Sequence, residues 1–267
     1  MFFRPHTVQY APRSFLERVG RKTLLFLREL GQFALLMSRV FSEIGGLVSD
    51  RRLFFQECVT LGVESLPLVL LVGIFTGAVT GWQAHYQLEG YMPYDLIGPG
   101  VWKSLMLELG PALTGLVIAG RVSASIAAEI GTMKVTEQVD ALESMAISSV
   151  RYLAVPRIAA MTVMMPILVC QSVFTGMMGA VVVLTVFLGM PPHQFWGLVP
   201  NFFHTYDIFA GLLKSVFFGF ASSSIGCYIG FRTEGGAEGV GAATITAFVL
   251  SCISLLALDF VLAMILF

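Results

Sequence analysis

The sequence predicts an all-α polytopic membrane protein: an N-terminal interfacial helix, five transmembrane helices, and a short cytoplasmic helix between spans two and three. Three observations carry this. Hydrophobic residues are 56% of the 267 positions and charged residues only 12%, where a soluble domain carries roughly a quarter. The apolar residues gather into five runs, each at least as long as the ~20 residues a hydrocarbon core demands. Lysine and arginine fall on alternate connections between those runs, as the positive-inside rule requires. The mean hydropathy of +0.81 agrees. With 16 Lys+Arg against 17 Asp+Glu, net −1, the composition excludes a soluble globular enzyme, a disordered tail and a basic nucleic-acid binder. The 27 Gly and 22 Phe suit packed membrane helices, because Gly lets backbones approach closely.

Residues 1–50 form the first region. Met1 to Lys22 is interrupted by Arg4, Arg13, Arg18 and Arg21 and has no apolar stretch ending in a small-residue cleavage site, so no secretory signal is expected. Leu24 to Val48 is apolar but broken by Arg28, Glu29, Arg39 and Glu43. Charges at that density cost too much inside lipid, and a helix lying in the interface explains the pattern better.

Residues 51–267 hold the five spans, at about 58–82, 96–120, 158–190, 208–231 and 245–267. The third has no Asp, Glu, Lys or Arg from Ile158 to Met190. As one helix it would run ~50 Å against a core of ~30 Å, so it must tilt, bend at Pro166 or project beyond the bilayer. Nine Lys/Arg precede the first span; the connections then carry none, four (Arg121, Lys134, Arg151, Arg157), none, and one (Arg232), with none after the last span. The N-terminus is therefore expected in the cytoplasm and the C-terminus outside. The loops at 83–95 and 191–207 are too short for a folded external domain, which leaves any soluble chemistry to another chain.

The connection from Arg121 to Arg157 is the largest cytoplasmic feature. Its core, Thr136 to Ile147, reads as an amphipathic helix, with Val139, Leu142, Met145 and Ala146 on one face and Glu137, Asp140, Glu143 and Ser144 on the others. Thr136 is the expected N-cap, with Glu137 in the first turn. A surface helix along the bilayer and a docking helix for a cytoplasmic partner both fit.

Ionisable residues inside spans are the next candidates, because each costs roughly 2.5–3.5 kcal/mol at mid-membrane and so faces a cavity or a partner. Glu108 lies in Glu108-Leu109-Gly110-Pro111, where the Gly-Pro pair loosens the helix and frees carbonyls. Lys103, Lys214 and Asp259 all fall in the outer half, and Asp259 is expected to pair with Lys214 or Lys103. Glu64, nearer the cytoplasmic end, is within reach of interfacial water. Gly73, Gly77 and Gly81 make a double G-x-x-x-G and Gly226 and Gly230 another, which signals close packing or dimerisation.

Several signatures are missing. There is no G-x-x-x-x-G-K-[ST], so no P-loop nucleotide site, and Gly239-Val240-Gly241 lacks the preceding strand of a dinucleotide fold. His85, His193 and His204 are scattered near external loops, and Cys58, Cys170, Cys227 and Cys252 are far apart in apolar runs. No metal site and no catalytic residue is expected.

The run from Leu107-Glu108-Leu109-Gly110-Pro111 through Ala119-Gly120-Arg121, Ala128-Glu129-Ile130-Gly131 and Thr136-Glu137-Gln138 to Glu143-Ser144-Met145-Ala146 resembles the MlaE/YrbE family, permease subunits of ABC-type lipid transporters that work with MCE-domain proteins. The likeness continues at Leu213-Lys214-Ser215, at Gly235-Gly236-Ala237-Glu238-Gly239-Val240-Gly241 and at Leu258-Asp259-Phe260, and spans residues from about 50 to the end. It implies a homodimer in a bacterial inner membrane, with the C-terminus periplasmic, that moves glycerophospholipid between inner and outer membranes to maintain outer-membrane lipid asymmetry. It implies a coupling helix carrying Glu137, Val139, Asp140, Leu142, Glu143 and Met145 against a cytoplasmic ATPase, which alone would hold ATP and Mg. It further implies a periplasmic MCE partner and a lipid pocket at the dimer centre, lined by Leu70, Ile74, Ala78, Trp82, His85, Leu107 and Glu108. Two positions depart from some members: Leu107, where an arginine occurs, and His85, where an aromatic residue occurs. A lipid-modifying membrane enzyme and a proton-driven secondary transporter are the alternative readings; five spans without an evident inverted repeat argue against the latter.

Overall fold

The computed structural model describes residues 15–48, 50–88 and 93–267. The first 14 residues of the expected N-terminal region, and residues 89–92 of the first external loop, lie outside it. Among the described residues the chain is helical, with no strand. We number the helices α1 (Phe15–Glu43), α2 (Arg51–Leu88), α3 (Tyr94–Val135), α4 (Gln138–Ser144), α5 (Val150–Leu188), α6 (Pro192–Gly197), α7 (Thr205–Phe231) and α8 (Gly236–Leu266). Five of these, α2, α3, α5, α7 and α8, are long and apolar enough to cross a membrane.

The five runs read from the sequence lie within these helices apart from a residue or two at two ends, but the helices extend past them. Most of the added length is at the arginine-bearing end: α2 starts at Arg51 rather than 58, α3 continues to Val135 rather than 120, and α5 starts at Val150 rather than 158. The apolar pattern marks where lipid ends, whereas helix propagation needs only one further backbone bond per residue and continues into water. The long third run is one unbroken helix through Pro166.

Small residues set the packing. Along α2, Gly73, Gly77 and Gly81 face Ser172, Gly176 and Ala180 of α5, where an added Cβ at Gly77 would strike the backbone of Gly176. Gly226 and Gly230 of α7 meet Ser123 and Ile130 of α3 in the same manner. Both glycine motifs are thus consumed within the chain. Helices α3, α5 and α7 form the centre; α2 lies against α5 on one side, and α8 against α3 and α7 on the other. The outer faces of these two flanking helices are apolar and exposed, with Phe75 and Val79 on α2 and Phe260 and Met264 on α8.

Helix α1 turns Phe33, Leu36, Met37 and Val40 into the bundle, at i, i+3, i+4 and i+7, and leaves Leu24, Leu27, Leu30 and Leu35 exposed. Glu29 holds Tyr228 of α7 and Arg232 just past its end, and Glu43 accepts a hydrogen bond from Ser148 at 2.7 Å. At the opposite end, the short α6 and the turn Val199–Phe202 pack down on α3, with the Phe195 carbonyl lying against Gly98.

The helix after span two departs from the sequence reading. Thr136 is not its N-cap: Thr136 Oγ1 donates back to the Thr132 carbonyl at 2.8 Å and so closes α3. Glu137 then takes a left-handed conformation (φ 61°) and α4 covers only Gln138–Ser144, with Ala146 (φ 59°) left-handed after it. Its apolar residues also divide. Val139 is buried and Leu142 packs on the core, whereas Met145 is exposed and Ala146 stands beyond the helix.

Candidate functional site

The site begins with a proline. Pro111 has no N–H, so the carbonyl four residues earlier, Leu107 O, loses its helical donor. The preceding turn, Leu105–Leu109, widens into a π-helical turn, a distortion that recurs at functional sites. Lys214 of α7 takes the vacant acceptor: its Nζ donates to Leu107 O at 3.2 Å and to Glu108 Oε1 at 2.7 Å. From α8, Asp259 Oδ1 stands 3.1 Å from the same ammonium, as an ion pair off the line of a hydrogen bond. The ring of Phe267 lies 5.7 Å from Nζ.

Three helices therefore converge on one lysine. Its side chain is 0% exposed, while Glu108 is 44% and Asp259 21% exposed. A fully desolvated cation is tolerable only with such partners. Two carboxylates against one ammonium leave a formal charge of −1, and the open side of Glu108 presents that charge outward. Such a spot in an apolar setting can hold a polar or cationic group by charge-assisted hydrogen bonds. Lys103, the other candidate partner of Asp259, has no ion pair among the described residues.

The remaining pocket candidates lie on α2, apart from Leu107 on α3. Ile74 and Trp82 are exposed, Leu70, Ala78 and His85 half-buried, and Leu107 half-buried beside Glu108. Leu70, Ile74, Ala78 and Trp82 each follow a residue of the buried Val69-Gly73-Gly77-Gly81 stripe by one position and so flank it, about 100° round the helix, while His85 continues the stripe itself. Trp82 meets Phe187 edge-on at 6.5 Å, and His85 stacks on Tyr94 at 5.2 Å.

A second charged centre at the arginine-bearing end escaped the sequence reading. Arg157, 5% exposed, forks between Glu129 of α3 at 2.7 Å and Glu57 of α2 at 3.4 Å, and donates to the Leu153 carbonyl at 2.8 Å. Around it Glu64 pairs with Arg121 at 3.6 Å, Asp50 with Arg151 at 3.0 Å and Asp140 with Lys134 at 2.7 Å. Glu64, expected to reach interfacial water, thus has a protein partner in Arg121. Glu143 accepts from Ser149 Oγ at 2.8 Å. Among the described residues no three His, Cys, Asp or Glu side chains group as metal ligands do.

Residues 54–265 match the family described as Permease MlaE. A probable ABC transporter permease protein of Synechocystis is 39% identical over 252 residues, 94% of this chain and 96% of that one. A probable ABC transporter permease protein of Rickettsia typhi is 38% identical over 249 residues, 93% and 96% of the two chains. The intermembrane phospholipid transport system permease protein MlaE of Haemophilus influenzae is 34% identical over 258 residues, 95% and 98% of the two chains.

Proposed function

The chain belongs to the MlaE permease family, and from that premise we propose that it is the membrane subunit of an ATP-driven transporter moving glycerophospholipid between the inner and outer membranes. The observation that carries the proposal is the Lys214 centre: a polar spot with an open carboxylate, Glu108, set among apolar helices whose exposed faces match acyl chains. A two-tailed lipid needs that combination.

In this reading the chain works as a homodimer in a bacterial inner membrane, with the arginine-bearing end cytoplasmic and α1 in the interface. The apolar face of α2, from Leu70 to Trp82, meets its copy around the lipid, and a periplasmic MCE-domain protein exchanges it. Helix α4 docks on a separate ATPase, which holds the nucleotide and Mg. Because Val139 and Leu142 are spent inside the chain, the docking surface is Glu137, Asp140, Glu143 and Met145.

Copurification in mild detergent tests this. A P-loop ATPase is expected with the tagged wild type, and Glu143→Lys is expected to weaken its association while the chain still inserts. Ser149→Ala removes the same internal hydrogen bond without changing charge, and should retain the ATPase. If no nucleotide-binding chain accompanies the wild type, the transporter loses its energy source. ATP-independent turnover of lipid by the purified chain would instead favour a membrane enzyme.

A further inference from the structure

Helix α2 begins on two arginines that nothing among the described residues neutralises. At this end of the bundle Arg121, Lys134, Arg151 and Arg157 each hold a carboxylate, whereas Arg51 and Arg52 are exposed and have no ion pair. They head a shallow hollow along the first turns of α2, completed by Phe55, Gln56, Val59 and Thr60. Residues four apart stack on a helix, so the hollow is two columns: Arg51, Phe55 and Val59 in one, Arg52, Gln56 and Thr60 in the other. Phe55 and Val59 are 63% and 52% exposed. Among the described residues no acidic side chain lines it. The other side of the same turns is fixed inward: Cys58 and Leu61 are buried, and Glu57 reaches Arg157 at 3.4 Å. The two arginines therefore stand on a held helix, not on a fraying end.

Depth decides what this face meets. Arg51 and Arg52 precede the apolar run that begins at 58 by seven and six residues, ~10 Å of helix. The headgroup layer outside the hydrocarbon is roughly 5–8 Å thick, and arginine side chains reach along a helix to keep their charge at that level. The two guanidiniums thus lie among lipid phosphates, while Val59 lies among acyl chains. From the end of the helix inward the hollow presents cations, then a polar column beside an apolar one, the complement of a phosphate, its glycerol esters and its chains. A second copy docked here about a two-fold axis would set the same arginines against each other, four like charges with no carboxylate between them. We propose that this face binds an anionic glycerophospholipid of the leaflet at the arginine-bearing end. Its phosphate bridges Arg51 and Arg52 by charge-assisted hydrogen bonds, and one acyl chain lies on Phe55 and Val59. The site is separate from the Lys214 centre, and its lipid is held rather than moved: it seats α2 from outside where the Arg157 fork holds it from within. It rests on the placement of these helices in a membrane and on neither the ATPase nor transport.

The test is native mass spectrometry of the full chain released from mild detergent. The chain is titrated with dioleoyl phosphatidylglycerol or dioleoyl phosphatidylcholine, which share their chains and differ in net charge. The first phosphatidylglycerol is expected to bind about thirtyfold more tightly than the first phosphatidylcholine, as two basic residues at an anionic lipid imply. Arg51→Gln with Arg52→Gln should erase that preference, and either change alone should weaken it about fivefold. Thermal unfolding in detergent should not change, since neither side chain is tied to the fold. Arg21→Gln with Arg28→Gln removes two exposed arginines from α1 and should keep the preference. Excess inorganic phosphate should not displace the lipid, because it has no chain to lay on Phe55 and Val59. Equal binding of the two lipids, a preference that survives the Arg51 and Arg52 changes, or one that the Arg21 and Arg28 changes remove as well, overturns the proposal. So does displacement by inorganic phosphate, which would assign the arginines to a free anion. Ready disulfide formation between copies through Phe55→Cys in membranes, with the exposed Cys170 replaced by serine, would assign the face to a second copy and reject the lipid.

Discussion

Replacing Lys214 by methionine is the sharpest probe of the central site. The side chain keeps its length, so packing changes little, but both carboxylates lose their counter-charge. Removing one partner of a buried pair costs about 3–5 kcal/mol. Here Glu108 and Asp259 are 44% and 21% exposed and partly able to reorganise, which places the cost at the lower end, about 3 kcal/mol, or about two orders of magnitude in the folded-to-unfolded ratio. The same geometry sets the rescue. Exchanging the charges of Lys214 and Asp259 puts a carboxylate at position 214, where the ammonium now sits 2.7 Å from Glu108. That exchange restores one pair and creates a repulsion, so it should recover little. Removing all three charges, with Lys214→Met, Asp259→Leu and Glu108→Gln together, should recover most of the loss, because apolar replacements of buried ion pairs are often neutral. The assay is reversible unfolding in mixed micelles with increasing sodium dodecyl sulfate. A single variant as stable as the wild type, or a triple variant no better than the single one, would refute the electrostatic account.

Four further outcomes follow from the structure. Pro111→Ala restores an N–H that competes with Lys214 for Leu107 O, and is expected to lower the lipid retained by the purified complex, read by mass spectrometry, with stability within about 1 kcal/mol of the parent. Gly77→Leu drives a side chain into the backbone of Gly176 and should yield aggregated protein on size exclusion. Gly100→Ala enters open space and should be neutral or stabilising by up to ~1 kcal/mol. Glu129→Gln weakens the Arg157 fork at its 53% exposed arm; the chain should fold, while lipid moved per ATP hydrolysed in reconstituted vesicles falls. An unchanged ratio would dissociate that fork from transport.

The spans were legible because lipid imposes one requirement on long stretches of chain, and hydropathy reports it directly. Their inner limits were not, because backbone hydrogen bonding continues in water where hydropathy is silent. Asp259 and Lys214 could be expected to meet, since each is costly alone and both fall at the same depth. That Glu108 joins them depended on the π-helical turn, which alters the angle at which residue 108 leaves the helix and which no residue count anticipates. The Arg157 fork was hidden for a similar reason: Glu129 and Arg157 stood in what read as a connection, although both sit on helices. The face of α4 was misjudged because left-handed residues at Glu137 and Ala146 reset the direction of a seven-residue element. Periodicity over two turns cannot register such a reset.

Helix α3 supplies a physical route between the two charged centres. It is one helix of 42 residues that carries Glu108 toward one end, Glu129 toward the other, and α4 immediately beyond. Val139 is buried and Asp140 is tied to Lys134 at 2.7 Å, so a push on α4 reaches α3 with little slack. The fork of Arg157 on Glu129 and Glu57 is a natural fulcrum, because it joins α3 to α5 and α2 at a single buried guanidinium. About 1.5 Å per residue puts Glu108 ~30 Å from that point, and a rotation of about 5° there moves Glu108 by ~3 Å. That displacement is as long as the 2.7 Å bond between Lys214 and Glu108, so a rotation of this size breaks it and turns the carboxylate free. Helices α7 and α8 keep Lys214 and Asp259 together, while the close contact of Gly211 on α7 with the Met106 carbonyl has to slide. In the proposed docking of α4, a small closure of the ATPase would thus change what a lipid headgroup meets from a carboxylate held by Lys214 to a freed one, a two-state change at the site driven by motion of one helix.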